Sequence, residues 1–434
     1  METLYIRAST ALEIADRLSE KIAARGLAHG EALPPVRALA KALGVSPSTV
    51  SAAYGSLKAA GLIVTDGRRG TRVADEASSS ALPATSRGDL HDLASGNVDG
   101  ELLPRADPHW LVKLTALTGY DAAADDPELV ETARRWMGEQ GVPNEAIAVC
   151  NGALDAIERA LRQVVRPGSR VAVEDPCWPP LLALLESLRL VPVPLPVDSH
   201  GVNPSPDVLK GISACVLTPR AQNPTGVAVS AARLAKVIRL IDAAPRCLLI
   251  LDDYWGLLAA ERLPSLRWLP ARWLYVGSLS KALGPDLRVA VVSGDKLTVH
   301  LIRQQQSLGP RWVSLMVQRL AANLWRTADA HGSLGRAAEK YGQRRAALVR
   351  ALNAEGVVVP ESGIGLHVWL SVPDESTIVQ RLAASGWSVQ AGRPFRLRTA
   401  PAVRINAANL GGLEAERFAR DFANAVASGG WVSA

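Results

Sequence analysis

Residues 273–290 read WLYVGSLSKALGPDLRVA. An apolar run, Trp273–Val276, is followed by Ser278 and Ser280, then Lys281, and seven residues later Arg288. A short apolar run ending in polar residues is the pattern of a strand buried on both faces. This one delivers a lysine to its end. A primary amine flanked by hydroxyls and a guanidinium suits a Schiff base with an aldehyde that also bears a phosphate.

Working outward, the same kind of strand recurs at Arg170–Val173, Ala214–Leu217, Leu248–Leu251 and Val289–Val292, with helical patterns between. That alternation predicts an α/β unit with a mainly parallel sheet. The last hundred residues mix helix and strand, as a smaller α+β subdomain from about residue 330. Polar residues stand at the strand ends. Leu248–Leu251 runs into Asp252-Asp253-Tyr254, where a carboxylate can keep a pyridine nitrogen protonated and a phenol can reach a ring hydroxyl. Asn223, in Asn-Pro-Thr-Gly, follows Ala214–Leu217 on the same side. Gly152 and Ala153 open a helix whose free N–H groups form an anion site. With Ser278, Ser280 and Arg288 they make a phosphate cradle. Trp178 can stack on a flat ring.

The chain has 434 residues, 48% of them hydrophobic and 21% charged, which is the composition of a multidomain chain with large cores. Its four cysteines, Cys150, Cys177, Cys215 and Cys247, include no C-x-x-C pair, so neither a disulfide framework nor a zinc site is expected and a reducing cytosol fits. No apolar stretch approaches the roughly 20 residues of a bilayer span, and the N-terminus lacks the apolar core of a signal peptide.

Residues 1–75 carry ten Lys/Arg against seven Asp/Glu, a net of +3. Thr10 and Glu13 have capping-box spacing ahead of one helix. Pro34-Pro35 primes a second, which Gly44 stops, and Ser46 caps a third with Pro47 in its first turn. Strands Leu62–Thr65 and Thr71–Val73 follow, joined by a tip with Arg68 and Arg69. Three helices and a hairpin make a winged helix-turn-helix, whose second helix of the pair enters the major groove. Ser46, Ser48, Thr49, Arg37, Arg68 and Arg69 are its candidate DNA contacts. Residues 76–90, rich in Ser, Ala and Pro, read as a flexible linker. The effector unit then spans 91–434.

The segment from Ala32 to Val73, ALPPVRALAKALGVSPSTVSAAYGSLKAAGLIVTDGRRGTRV, resembles the DNA-binding domain of the GntR family of bacterial regulators. It departs from that pattern at Pro47-Ser48, where a basic residue is common. The order anchor helix, Asn, Asp/Tyr, Lys, Arg resembles fold-type I pyridoxal-phosphate aminotransferases. That resemblance implies Lys281 as the Schiff-base lysine, Asp252 as partner of the ring nitrogen, and Tyr254 and Asn223 on the ring hydroxyl. It implies Trp178 as the stacking residue and Ser278, Ser280 and Arg288 as phosphate ligands. Tyr120 matches a tyrosine that reaches the neighbouring subunit's phosphate, and Gly96 and Arg404 match substrate-end positions, with Arg404 clamping a carboxylate. The aspartate-to-tyrosine spacing is two residues where three is common, which leaves Asp253 as the alternative nitrogen partner.

Joined, the two halves resemble the MocR subfamily of GntR regulators, and the strings TPRAQNPTG and SLSKALGPDLRVA are similar to its PtsJ-type branch. The resemblance implies a head-to-tail homodimer in the cytoplasm. It also implies pyridoxal 5'-phosphate (PLP) in the effector domain, a double-stranded DNA operator, and an output tied to the cofactor or to a small amine. The alternative is a working PLP-dependent aminotransferase with an accessory DNA-binding domain.

Overall fold

The computed structural model describes residues 8–23, 27–28, 30–59, 62–66, 70–73, 90–106, 110, 119–121, 123–244, 246–360 and 363–427. The chain divides into two compact units, 1–82 and 83–434. The linker expected at 76–90 lies, save its last residue, outside the described residues, as do Arg68 and Arg69.

The first unit contains α1 (Ala11–Ala23), α2 (Val36–Leu43) and α3 (Pro47–Ala59), then β1 (Ile63–Asp66) and β2 (Gly70–Val73). The strands pair antiparallel with Ile63 opposite Val73. The capping box forms: the Glu13 N–H donates to Thr10 Oγ1 at 3.2 Å and the Thr10 N–H to Glu13 Oε2 at 3.3 Å. Gly44 ends α2 at φ +69°, a conformation that glycine takes without strain. Ile14, Leu18, Leu39, Val50, Ala53, Leu57 and Ile63 share one buried cluster. Each large side chain there is worth roughly 1.5–3 kcal/mol on burial, so a unit this small holds its three helices and hairpin through one core.

The second unit is built on an eight-stranded sheet. In chain order after β3 (His91–Asp92) its strands are β4 (Ile147–Cys150), β5 (Arg170–Asp175), β6 (Val191–Asp198), β7 (Gly201–Val202), β8 (Ala214–Leu217), β9 (Leu248–Asp253), β10 (Trp273–Ser278) and β11 (Ala290–Gly294). Their spatial order is β4-β11-β10-β9-β8-β5-β6-β7. The run β6-β5-β8-β9-β10 is parallel; β11 pairs antiparallel with β10, β4 pairs antiparallel with β11 and so runs with the parallel strands, and β7 pairs antiparallel with β6 at the other edge. Successive strand residues face opposite sides of a sheet. In β9, Leu248 and Ile250 accordingly belong to one apolar cluster, with the helix Ala153–Val164, while Leu249 and Leu251 belong to the other.

The smaller C-terminal part packs β12 (His367–Ser371), β14 (Gln390–Ala391) and β15 (Ala402–Asn406) as an antiparallel sheet in the order β12-β15-β14. The two-residue strand β13 (Trp387–Ser388) pairs with β3, so residues 91–92 belong structurally with this subdomain. Its core is Val368, Leu370, Val403 and Ile405 against Phe418 and Phe422 of the helix Gly412–Ala427. Among the described residues no helix is long and apolar enough to cross a membrane, and no group of three or more His, Cys, Asp or Glu could hold a metal ion. All four cysteines are buried and unpaired.

Candidate functional site

The parallel strands bring their carboxyl ends to one edge, where open α/β sheets bind ligands. Gly152 follows β4, Trp178 follows β5, Asn223 follows β8, Asp252 to Tyr254 close β9 and Ser278 closes β10. Because β11 runs the other way, its entry residue Arg288 arrives at the same edge. These sequence-predicted residues therefore converge.

Lys281 sits in the short helix Ser280–Leu283, and its ammonium donates to the Gly96 carbonyl. Burial, and then the charges of Arg404 and Arg288, bring its pKa down to about 8. A side chain on Gly96 would place its Cβ 3.8 Å from that amine. The Gly96 loop is held from below: Asn406 Nδ2 donates to the carbonyls of Ser95 and Asn97 at 2.9 and 2.8 Å, and Arg404 donates to that of Ala94.

Strand parity separates Asp252 from Asp253. Asp252 shares the face of Leu248 and Ile250, toward the helix that Gly152 opens. Its Oδ1 is buried with no hydrogen-bond partner, and burial, then Asp253, push its pKa up to about 7. Asp253 turns to the other face. There the Arg220 guanidinium forks onto it, Nε lying 3.2 Å from both oxygens, and the Tyr275 hydroxyl donates at 2.7 Å. Only Asp252 is left with an unsatisfied oxygen for a cationic ring to meet.

Gly152 caps the helix Ala153–Val164 at φ +91°, with the Arg288 guanidinium across it. Ser278 Oγ accepts the Ser280 N–H at 3.4 Å. The Tyr254 hydroxyl donates to the Ala221 carbonyl, and burial drives its pKa upward. Arg404 Nη1 lies 3.4 Å from Asn223 Oδ1. Trp178, half-buried, caps the helix Pro179–Ser187. Just before it, Asp175 accepts the backbone N–H groups of Leu397, Arg398 and Thr399 at 3.0, 2.7 and 3.1 Å, and Phe395, in the same stretch, lies under the Arg404 guanidinium. Tyr120 stands apart. It is 83% exposed, and its ring contacts are Arg311, 5.1 Å away, and Trp312.

Several site residues escaped the sequence reading. Glu174, buried at the end of β5, accepts the Thr218 N–H at 3.2 Å, and burial raises its pKa to about 8. Arg220, Asn406, Arg345 and His367 are buried too. Parity could have found one of them: in AVRIN, 402–406, the apolar Val403 and Ile405 alternate with Arg404, already singled out, and Asn406.

In the helix-turn-helix, Arg37 and Ser48 are exposed. Ser46 Oγ accepts the Thr49 N–H at 3.1 Å and lies 2.7 Å from Ser48 Oγ, so Ser46 is occupied as the cap of α3.

Two family models match: the GntR family of bacterial regulatory proteins over residues 10–73, and aminotransferase class I and II over residues 89–422. The vitamin B6 salvage pathway transcriptional repressor PtsJ of Salmonella typhimurium is 35% identical over 97% of this chain and 99% of its own. The chain belongs to the MocR-type regulators of the GntR family. The pyridoxine biosynthesis transcriptional regulator PdxR of Corynebacterium glutamicum is 26% identical over 86% of this chain and 85% of its own. Among solved structures, the Pyrococcus horikoshii kynurenine aminotransferase, in complex with PMP, superposes with a TM-score of 0.70 at 20% identity, covering 79% of this chain and 92% of that one. The Thermus thermophilus α-aminoadipate aminotransferase LysN, complexed with N-(5'-phosphopyridoxyl)-L-leucine, gives 0.69 at 20% over 86% and 97%. The second unit of this MocR-type chain thus has the fold-type I aminotransferase architecture anticipated for it, with a mainly parallel sheet.

Proposed function

We propose that this MocR-type chain is a DNA-binding transcription regulator whose aminotransferase-like domain holds PLP on Lys281 and couples the state of that site to operator binding, in the control of vitamin B6 metabolism. The observation that carries the reading is the pairing of a buried amine of lowered basicity with a buried carboxylate oxygen that has no protein partner. One fits an aldehyde, the other a ring nitrogen. When bound, PLP supplies that aldehyde and a cationic ring that draws electrons from groups attached to it. Around it, Asp252 would hold the ring proton, Tyr254 and Asn223 would bind the ring hydroxyl, and Trp178 would stack on the ring. Gly152, Ala153, Ser278, Ser280 and Arg288 hold the phosphate, and Gly96 and Arg404 border the substrate end. Two copies arranged head to tail would let the exposed Tyr120 complete the partner's phosphate site. They would also pair two helix-turn-helix units on DNA half-sites, contacted through Arg37, Ser48, Thr49, Arg68 and Arg69. A ligand shifts such a DNA equilibrium only by its differential affinity for the two states.

The test is direct. Purified protein with PLP should show the absorption band of the lysine-linked cofactor, and Lys281→Ala should abolish it; a band that survives overturns the assignment. Operator binding with and without PLP should then differ. The second reading, a working aminotransferase, is favoured by the simultaneous presence of Lys281, Asp252 and Arg404. It requires that an amino donor and a 2-oxo acid turn over catalytically, and that turnover survive removal of residues 1–75.

A further inference from the structure

We propose that His367 is a ligand-reading residue of this site: its imidazole stands with the Arg404 guanidinium to take the carboxylate of an α-amino acid entering over Lys281, and so separates amino acids from simple amines. The inference rests on the reading of Lys281 given above and extends it to the class of ligand.

The placement follows from register. His367 lies directly opposite Asn406, and Trp369 opposite Arg404, across β12 and β15. Residues directly opposite, and residues two apart, share a face. His367, Trp369, Arg404 and Asn406 therefore project from one side of the small sheet, and Val368, Leu370, Val403 and Ile405 fill the core on the other. The polar side is the one that grips the 94–97 loop through Arg404 and Asn406, and that loop accepts the Lys281 ammonium.

His367 is 1% exposed, and its Nδ1 is buried with no hydrogen-bond partner. Leaving such a nitrogen unpaired costs stability, so native interiors rarely do it without another use for the group. Arg404 is partly so: its Nη2 donates to the Ala94 carbonyl and its Nη1 lies 3.4 Å from Asn223 Oδ1, while its Nε is buried and unpartnered. With the ring proton on Nδ1, the imidazole and the Arg404 Nε–H are two neighbouring groups that suit an anion with two oxygens, which a carboxylate supplies.

The backbone under the imidazole is held firmly. Arg345 Nε lies 3.4 Å from the His367 carbonyl, and the Ile364 N–H donates to the Gly226 carbonyl at 2.7 Å. A Cβ on Gly226, itself at φ +75°, would come within 2.7 Å of the His367 carbonyl oxygen. Gly226 closes the turn that begins at Asn223, so the imidazole is positioned by the segment that also carries a predicted cofactor contact. Burial, then Arg404, Lys281 and Arg345, keep the ring neutral. A neutral N–H donor among cations attracts an anion and repels a second ammonium.

The experiment uses the full chain loaded with PLP, titrated with L-alanine and separately with methylamine, reading the change in cofactor absorption. His367→Leu should bind PLP within about threefold of the natural protein and leave methylamine unchanged. It should weaken alanine by about tenfold or more, the loss of one hydrogen bond to a charged group. His367→Asn, which keeps a donor, should recover part of that loss. Cofactor-free protein supplies a second readout: excess acetate, against chloride at equal ionic strength, should raise the melting temperature of the natural protein and not of His367→Leu. If alanine and methylamine weaken together, or neither weakens, while the band persists, the assignment of His367 is wrong. If no band forms in the natural protein, the cofactor reading fails instead, and the acetate comparison alone decides His367.

Discussion

Arg288 lies across Gly152, so closely that a Cβ added to the glycine would stand 3.0 Å from its guanidinium Nη2. Glycine is demanded here twice, by that approach and by φ +91°. Gly152→Ala should push the guanidinium off the helix terminus and cost about 1–3 kcal/mol in backbone strain. PLP affinity, titrated by absorbance, should fall by about tenfold or more, with a smaller relative change in operator affinity measured without PLP.

The Arg220–Asp253 pair is buried on both sides, the side chains being 3% and 0% exposed. Removing one partner from such a pair leaves an uncompensated charge in the interior, which costs about 3–5 kcal/mol. Arg220→Met should destabilise by that order in denaturant titrations of the cofactor-free protein. The double variant Arg220→Met/Asp253→Leu should recover most of the loss.

Asp252 sets a pH dependence whose sign can be worked out. Its folded pKa, about 7, exceeds its ordinary value of 3.8, so the folded chain holds the extra proton between those limits. The stability associated with it is full below pH 3.8 and is lost as pH rises toward 7. Measured against Asp252→Asn, cofactor-free natural protein should lose stability across that window, by on the order of 4 kcal/mol. A flat difference would mean the carboxylate ionises as freely in the folded chain as in the unfolded one. Lys281 works in the opposite direction. With a pKa of about 8, its amine is free for condensation well below the ordinary lysine range, so the rate of PLP loading should rise most steeply near pH 8.

Arg37 is exposed on α2. If it meets a DNA phosphate, Arg37→Ala should weaken operator and non-operator binding alike and reduce the slope of log K against log salt by about 1. Loss confined to the operator would assign it to a base instead.

Most of the fold was legible because its signals are local. The capping box at Thr10 and Glu13, the Gly44 stop and the Ser46 cap each act within four residues, and the strands from Ala214 onward announce themselves as apolar runs. Val191–Asp198 was missed since three prolines interrupt it; they stand near the sheet edge, where a missing N–H is tolerated. Much of the candidate site was legible for the same reason, with Trp178, Asn223, Asp252, Tyr254 and Ser278 standing at or just beyond strand ends. The choice between Asp252 and Asp253 was not, because it depends on which helix covers which face. His367, Arg345 and Arg220 were invisible: their meaning comes from partners tens to hundreds of positions away.

One carboxylate, Asp175, grips three consecutive amides at 397–399. The shelf that ends in Trp178 and the stretch leading into Arg404 are thereby geared as a single lever. Any shift of one is therefore passed to the other through three hydrogen bonds held by a single side chain.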